Sequence, residues 1–279
     1  MKRLALLSVL AALCGPALAD SAQRLVTVGG AVTEIVYALG AGARVVATDT
    51  TSTWPEAAQS LPRVGYQRAL AAEGVLSMRP TLLIATADAG PPVALTQLQG
   101  AGVRVLQLDA GHRADQVGGT IRAIAASLAL DDAGRTLAER FDADWAAARQ
   151  QVAALPGRPR ALFILDHGGA SPMVAGDGTA AAAMIDYAGA VNVMAGRFNG
   201  YRPLTLEAAL AAAPDIIVTT DEAIATAGGR AAFLGRPGLA ALPAARAGRL
   251  VTLDALRLLG FGPRLPAAVL DLAQRMRTP

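Results

Sequence analysis

One long amphipathic segment constrains the fold of this chain more than any other feature of its sequence. In residues 131–155, apolar residues recur mainly at spacings of four or seven, while arginine and acidic residues fill the other positions. This pattern predicts a single helix of roughly 35 Å, with Asp132 as its cap and the proline-rich turn at 156–159 as its end. The expected apolar face consists of Leu137, Phe141, Trp145 and Val152. Such a helix predicts a rigid connection between the two regions that it separates.

Short β-branched runs alternate with Ala- and Leu-rich runs on both sides of this helix, which is the pattern of layered α/β domains. Before it, we expect strands at 24–28, 44–48, 81–85 and 103–108, and helices at 32–39 and 91–99. After it, we expect strands at 160–165, 215–219 and 250–253, and helices at 179–188 and 263–276. The sequence therefore predicts two Rossmann-like α/β lobes, residues 20–130 and 157–279, joined by one helix at 131–156.

Residues 1–19 are typical of a removable export signal. Lys2 and Arg3 precede a largely apolar run at 4–13, and Ala17 and Ala19 give the small-x-small pattern that a signal peptidase recognises. The run is shorter than the about 20 residues that a membrane-spanning helix needs. We therefore expect cleavage after Ala19 and a periplasmic product. A buried N-terminal helix is the alternative.

Composition excludes several classes of protein. Cleavage removes two of the 25 basic residues and none of the 22 acidic ones, so the formal net charge falls from +3 to +1. A charge this small does not indicate a nucleic-acid partner. A single cysteine excludes a disulfide framework and a thiolate zinc site. A hydrophobic content of 53%, with 17% charged residues, excludes intrinsic disorder.

The sequence contains few signals of an enzyme. It contains no Gly-x-Ser-x-Gly elbow, Walker loop or dinucleotide fingerprint. Asp166, His167 and Ser171 could serve a secreted hydrolase, but neighbouring residues do not readily adopt the geometry of a catalytic triad. Residues 176–179 could hold an anion ahead of the next helix or form the tight turn that caps this helix.

Three side chains are candidates for binding a ligand. His167 directly follows a predicted strand, and side chains beyond the carboxyl ends of strands line the ligand crevice of open α/β sheets. Tyr66 lies in a turn-like stretch, and tyrosinate is a known axial ligand of haem iron. Arg68 could stabilise the phenolate or hydrogen-bond its oxygen. The alternatives are a structural histidine and a half-buried tyrosine with a stacked arginine. His112 is expected in a solvated loop.

A glutamate recurs at matching positions in the two regions. Glu73 and Glu207 each lie seven residues before a proline, on the first turn of a short expected helix that leads directly into a strand. The helix dipole favours a negative charge there by about 0.3–1 kcal/mol, which accounts for either glutamate alone. Recurrence in both regions predicts related lobes that place an acid at equivalent surface points.

Residues 61–80, with the run Val-Gly-Tyr-Gln-Arg at 64–68, are similar to the corresponding segment of periplasmic hemin-binding proteins. These are the substrate-binding components of bacterial haem ABC importers. Residues 48–52, 167–169, 172–176 and 200–204 resemble the same family, and the resemblance covers essentially the whole chain after residue 19. Trp54 is a small departure, because another aromatic residue, commonly tyrosine, is expected there. The family's fold, two α/β lobes joined by one long helix with a ligand cleft between them, agrees with the organisation predicted above.

The resemblance implies that Tyr66 binds haem iron and that Arg68 supports its phenolate. His167 matches a position that is a second iron ligand in some family members. Other members lack this histidine, and some relatives stack two haems, so the implied cargo is one or two ferric haem b groups. Glu73 and Glu207 resemble the acids that dock onto arginines of the membrane permease.

The implied partners are an inner-membrane ABC permease with its ATPase and an outer-membrane haem receptor system upstream, with the chain itself a monomer. A corrinoid- or ferric-siderophore-binding protein of the same fold is the nearest alternative. The secreted hydrolase is the alternative from a different class.

Overall fold

The structure is a computed structural model that describes residues 23–108, 111–166 and 172–278. Its first part forms one four-stranded sheet in the order β2-β1-β3-β4, and all neighbouring strands are parallel. The elements of this part are β1 (Leu25–Val28), α1 (Gly30–Ala38), β2 (Val45–Thr48), α2 (Glu56–Gln59), α3 (Ala72–Ser77), β3 (Leu82–Thr86), α4 (Pro92–Gly100), β4 (Arg104–Leu108) and α5 (Ala114–Ser127). Helices cover the sheet, so β1 is buried along its whole length.

The long helix α6 runs from Asp131 to Ala153. Its cap is Leu130 rather than Asp132, which lies inside the first turn and pairs with Arg135 instead. The expected apolar face is confirmed, because Phe141 and Val152 are buried and the other two members, Leu137 and Trp145, are partly buried against the same core.

The second part forms a mixed sheet in the order β10-β9-β5-β6-β8, with β7 also paired to β5. Its elements are β5 (Arg160–Leu165), β6 (Met173–Ala175), α7 (Ala180–Tyr187), β7 (Val191–Asn192), β8 (Tyr201–Pro203), α8 (Leu206–Ala212), β9 (Ile216–Thr220), α9 (Asp221–Ala227), α10 (Arg230–Leu234), α11 (Pro243–Arg246), β10 (Leu250–Leu253), α12 (Ala255–Leu259) and α13 (Leu265–Arg275). The antiparallel strands β6 and β8 were not predicted, because three-residue strands carry too little periodicity to be recognised.

The predicted α/β fold with two sheets joined through one long helix is confirmed. Every predicted strand is present with its ends shifted by no more than one residue, and every helix predicted with bounds has its ends shifted by no more than three. The lobe boundaries at 130/131 and 156/157 stay a prediction. Among the described residues, each helix is too short or too polar to pass through a bilayer.

Loops at the carboxyl ends of the two sheets contact each other. At the end of β1, Gly30 approaches the second part so closely that an added Cβ would lie 2.5 Å from Leu256 Cδ1. Beyond the end of β4, the ring of His112 lies 5.6 Å from that of Phe261, which follows α12. Side chains that follow the strands of both sheets therefore face a common region, which is where open α/β sheets bind ligands.

Candidate ligand-binding site

Tyr66 lies in the loop between α2 and α3, and backbone hydrogen bonds fix this loop beside the carboxyl end of β2. The amide of Thr48 donates to Pro62 O at 3.0 Å, and that of Val64 donates back to Thr48 O at 2.9 Å. Two residues after Thr48, the amide of Thr50 donates to Gly65 O at 2.9 Å. The tyrosine therefore emerges from a rigid support at the edge where a ligand is expected.

The residues around Tyr66 form a tight turn that leaves its ring accessible. Gly65 has a φ of 102°, a region that favours glycine, and the amide of Ala69 donates to Tyr66 O at 2.8 Å. The loop end is held from another side, because the amide of Gly90 donates to Gln67 O at 2.9 Å. Tyr66 is 43% exposed, so its phenol is available to a ligand.

Arg68 contacts the phenol oxygen and an acid at the same time. Its Nη1 donates to Tyr66 Oη at 3.2 Å, and its Nε donates to Asp88 Oδ2 at 2.8 Å. Nη2 pairs with the same carboxylate oxygen. Burial lowers the pKa of Arg68, but the bonds to Asp88 outweigh it and the net shift is upward. A permanent cation hydrogen-bonded to Oη would stabilise negative charge on that oxygen.

Asp88 lies two residues beyond β3 and accepts hydrogen bonds from Thr86 and Arg68. Burial alone would raise the pKa of Asp88, but hydrogen bonds from Thr86 and Arg68 reverse this and hold the pKa below its usual value. Thr86 Oγ1 donates to Asp88 Oδ1 at 2.9 Å. Asp88 is thus ionised at neutral pH and completes a chain from β3 through Arg68 to Tyr66.

Two further side chains are influenced by the charges of this hydrogen-bonded series of residues. His112 follows β4 in an exposed loop, as predicted, but its ring packs against Phe261 instead of standing free in solvent. Burial lowers the pKa of His112, and the charges of Asp88 and Arg68 both act on it. Burial raises the pKa of Tyr201 on β8, and the charge of Arg68 opposes that shift. The charge of Arg68 therefore acts on groups that belong to both sheet regions.

The other predicted site residues fall into three groups. His167 and Ser171 lie outside the described residues. Asp166, the remaining member of the hydrolase alternative, is buried and forms an ion pair with Arg236. Glu73 and Glu207 are exposed in the first turns of α3 and α8, on separate elements.

The turn at residues 176–179 caps a helix. Thr179 is the cap of α7, where its hydroxyl accepts a hydrogen bond from Ala182 N at 3.1 Å. Asp177 accepts a hydrogen bond from Gly196 N at 2.8 Å. Both side chains are thus used within the protein, which favours the capping interpretation over an anion site.

Sequence reasoning missed Asp88 because it belongs to no motif and is 20 residues from Arg68. The one signal that could have found it is its place directly after a buried strand, at the carboxyl end of the sheet. A cavity of about 440 Å³ lies elsewhere, against α1 and α6, and is lined in part by Glu34, Trp54 and Arg264. We place the candidate site at Tyr66, where the polar groups converge, and not at this cavity.

Comparisons with known proteins agree with the fold described above. A family model described as periplasmic binding protein matches residues 25–256. The solved structure of the periplasmic haem-binding protein BhuT in complex with two haems is 52% identical, with a TM-score of 0.85, and the match covers 91% of this chain and 97% of that chain.

Two further relatives have lower sequence identity to this chain. The periplasmic haem-binding protein RhuT from Roseiflexus sp. RS-1, solved in apo form, is 39% identical with a TM-score of 0.88, over 91% of this chain and 98% of that chain. Among curated proteins, the vitamin B12-binding protein of Yersinia pestis (strain Pestoides F) is 26% identical over 208 residues, which is 72% of this chain and 71% of that protein.

Proposed function

Because the chain belongs to the periplasmic binding protein family, we propose that it carries ferric haem b in the cleft between its two sheets. Tyr66 is the proposed axial ligand of the iron, and Arg68 stabilises the bound phenolate. The protein then delivers its cargo to an inner-membrane ABC permease with its ATPase. This is a carrier function, with no catalytic step.

The observation that carries this proposal is the contact between Arg68 Nη1 and the accessible Oη of Tyr66, at 3.2 Å. Tyrosinate is a known axial ligand of haem iron, and a neighbouring guanidinium favours the charged form that binds the metal. Relatives that are 52% and 39% identical over nearly their whole length are described as haem-binding proteins, which supports the same cargo here.

His167 is the proposed second iron ligand. It follows β5 by two residues in the sequence, and its position resembles that of a second iron ligand in some members of the hemin-binding family. The cargo is one haem held by Tyr66 and His167 together, or two haems with one ligand each. The structure of BhuT in complex with two haems supports the second stoichiometry.

A corrinoid is the alternative cargo, favoured by the similarity to vitamin B12-binding proteins. That similarity is 26%, against 52% for the haem-binding relative. A ferric siderophore is a further alternative within the fold, but the single Tyr66–Arg68 pair fits an iron porphyrin, which needs only axial ligands from the protein.

A titration with haem, cobalamin and a ferric siderophore panel tests the proposal, with Tyr66→Phe as the variant and Tyr37→Phe as the control. Tyr37 lies on α1 and lines the separate cavity, so its hydroxyl does not belong to the site. We expect the wild type and Tyr37→Phe to bind haem and to show a phenolate-to-iron charge-transfer band. Tyr66→Phe should lose this band and bind haem at least about tenfold more weakly, since loss of even a hydrogen-bonding partner of a metal ligand typically costs that much.

Two outcomes would contradict the proposal. An unchanged spectrum and affinity in Tyr66→Phe would exclude Tyr66 as the ligand. Tight binding of cobalamin or a siderophore without tight binding of haem would replace the proposed cargo. Mass analysis of the saturated protein gives the haem count, and His167→Ala shows whether the second histidine binds iron.

The same proposal covers the route of the protein. We propose export to the periplasm with cleavage after Ala19, supply of haem by an outer-membrane receptor system, and action as a monomer. Glu73 and Glu207 are the proposed contacts with arginines of the permease. Their exposure in the first turns of two separate helices supports this role.

A further inference from the structure

Arg68 is a long, exposed side chain that Asp88 binds through two of its nitrogen atoms. Its side chain is 58% exposed, and an arginine in such a position ordinarily samples several rotamers. Here Nε and Nη2 both bind Oδ2 of Asp88, which occupies one edge of the guanidinium. The remaining nitrogen, Nη1, is directed at Tyr66 Oη at 3.2 Å. The planar guanidinium couples the two contacts, so fixing one edge fixes the other.

Asp88 can fix Arg68 because the loop that carries it is itself held. Thr86 Oγ1 donates to Asp88 Oδ1 at 2.9 Å, which leaves Oδ2 for Arg68. On the adjacent strand β4, the side-chain amide of Gln107 donates to Ala87 O at 2.7 Å and to Ala89 O at 3.3 Å. The carboxylate is therefore anchored to two strands of the first sheet before it meets the arginine.

We propose that Asp88 is a positioning residue for the iron-binding phenolate: it holds Arg68 in the one orientation that lets Nη1 donate to Tyr66 Oη. This inference rests on the proposed function of Tyr66 as a ligand. Asp88 has a second, opposite effect, because its charge partly cancels that of Arg68. The positioning effect dominates, since the arginine touches the phenol oxygen directly while the carboxylate acts on it from behind the guanidinium and through solvent.

Asp88→Asn tests the inference, with Asp132→Asn as the matched control. Asp132 forms an exposed ion pair with Arg135 on α6, so the control makes the same chemical change in another arginine–aspartate pair. We expect Asp88→Asn to weaken haem binding about tenfold, the lower end of the range for partners of a metal ligand. Its phenolate-to-iron band should shift in the direction seen in Arg68→Ala, while Asp132→Asn leaves both unchanged.

A double-mutant cycle separates positioning from an independent effect of Asp88. In the Arg68→Ala background, Asp88→Asn should change haem affinity by less than about twofold, because its effect passes through Arg68. An equally large effect in that background would overturn the inference. So would unchanged binding in the single variant, or tighter binding, which is the sign expected if charge cancellation dominates.

A second readout needs no haem. The Nε–Hε signal of Arg68, identified by its loss in Arg68→Ala, should report an ordered side chain in the wild type and in Asp132→Asn by ¹⁵N relaxation. It should report a mobile one in Asp88→Asn. Failure to bind haem would reject the proposed function and leave this measurement intact. Haem binding through Tyr66 together with an equally ordered Arg68 in Asp88→Asn would reject the positioning role alone.

Discussion

Glu34 is a buried acidic side chain, and acidic side chains are rarely buried in folded proteins. It lies on α1, is 6% exposed, and faces a segment of the chain 230 residues away. Its Oε1 accepts a hydrogen bond from Arg264 N at 3.1 Å and pairs with Arg264 Nε, also at 3.1 Å. The guanidinium of Arg264 in turn lies 4.7 Å from the centre of the Trp54 ring. This small cluster ties the first sheet region to the start of α13.

The charge of Glu34 is nonetheless costly to the folded state. Burial raises the pKa of Glu34 above its ordinary value of 4.5, although hydrogen bonds and charge from Arg264 oppose the rise. The folded protein therefore binds this proton more tightly than the unfolded chain does. By linkage, the contribution of Glu34 to the free energy of unfolding is largest below the ordinary pKa and falls as the pH rises towards the raised one.

We predict that Glu34→Gln removes this pH dependence. The free energy of unfolding of the wild type, minus that of Glu34→Gln, should decrease as the pH rises above 4.5, with a slope of at most about 1.4 kcal/mol per pH unit. Urea unfolding across a pH series measures both proteins. Glu139→Gln, the same change on the exposed face of α6, is the control. A constant or increasing difference for Glu34→Gln would contradict the prediction.

Among the elements, the crossing of α5 and α6 depends on one small residue. An added Cβ at Gly134 of α6 would lie 2.3 Å from the Cβ of Ala125 on α5, closer than two such atoms can approach. Gly119, on α5, has open space where its Cβ would be and is exposed. Both glycines lie inside helices, but only at Gly134 does packing leave no room for a side chain.

The matching substitutions should have opposite effects on stability. Gly134→Ala should lower the free energy of unfolding by about 1–3 kcal/mol, because the helices must move apart. Gly119→Ala should raise it by up to about 1 kcal/mol, because alanine is the better helix former and meets nothing. Urea unfolding at one pH measures both variants. A Gly134→Ala protein as stable as the wild type would show that the crossing adjusts without loss.

Elements with strong local patterns were predictable, and those defined by long-range contacts were not. The apolar face of α6 repeats over 23 residues, so its period alone identifies it. Strands β6 and β8 have three residues each and depend on long-range pairing, since β6 pairs with β5 and β8 pairs with β6. The cap of α6 was placed wrongly on Asp132 because an acid near a helix start is an ambiguous signal, whether at the cap or within the first turn.

The candidate site also combines a local contact that the sequence suggested with long-range contacts that it did not. Tyr66 and Arg68 are two residues apart, so their contact follows from a local turn, and the sequence suggested it directly. Asp88 reaches Arg68 only because β3 lies beside β1 in the sheet, which brings the end of β3 next to the loop from β2. The packing of His112 on Phe261 likewise depends on how the two sheets meet. No spacing in the sequence encodes either contact.

At the scale of the whole molecule, one hydrophobic cluster contains residues of both sheets and of the helix between them. Leu25 of β1, Phe141 of α6 and Val218 of β9 all belong to it. Separating the two sheets would expose part of this shared core to water, at about 25 cal/mol per Å² of apolar surface. The molecule therefore presents its surface features, including those on α3 and α8, in a nearly fixed relation to one another.

A fixed relation between Glu73 and Glu207 suits simultaneous contact with one partner, and their removal should separate binding from delivery. The double variant Glu73→Ala/Glu207→Ala should bind haem like the wild type, because neither residue lies at Tyr66. Each truncated charge pair at an interface costs about 2 kcal/mol or more, which is about 30-fold in affinity. We therefore expect haem uptake into vesicles containing the reconstituted importer to fall to the level seen without binding protein.

The matched control is Glu56→Ala/Glu139→Ala, which removes two other exposed glutamates and changes the net charge equally. It should bind haem and support uptake like the wild type, since its residues lie on α2 and α6. Normal uptake with Glu73→Ala/Glu207→Ala would refute docking through these acids. Equal loss in both double variants would mean that the overall charge of the protein, and not these two positions, governs its contact with the membrane partner.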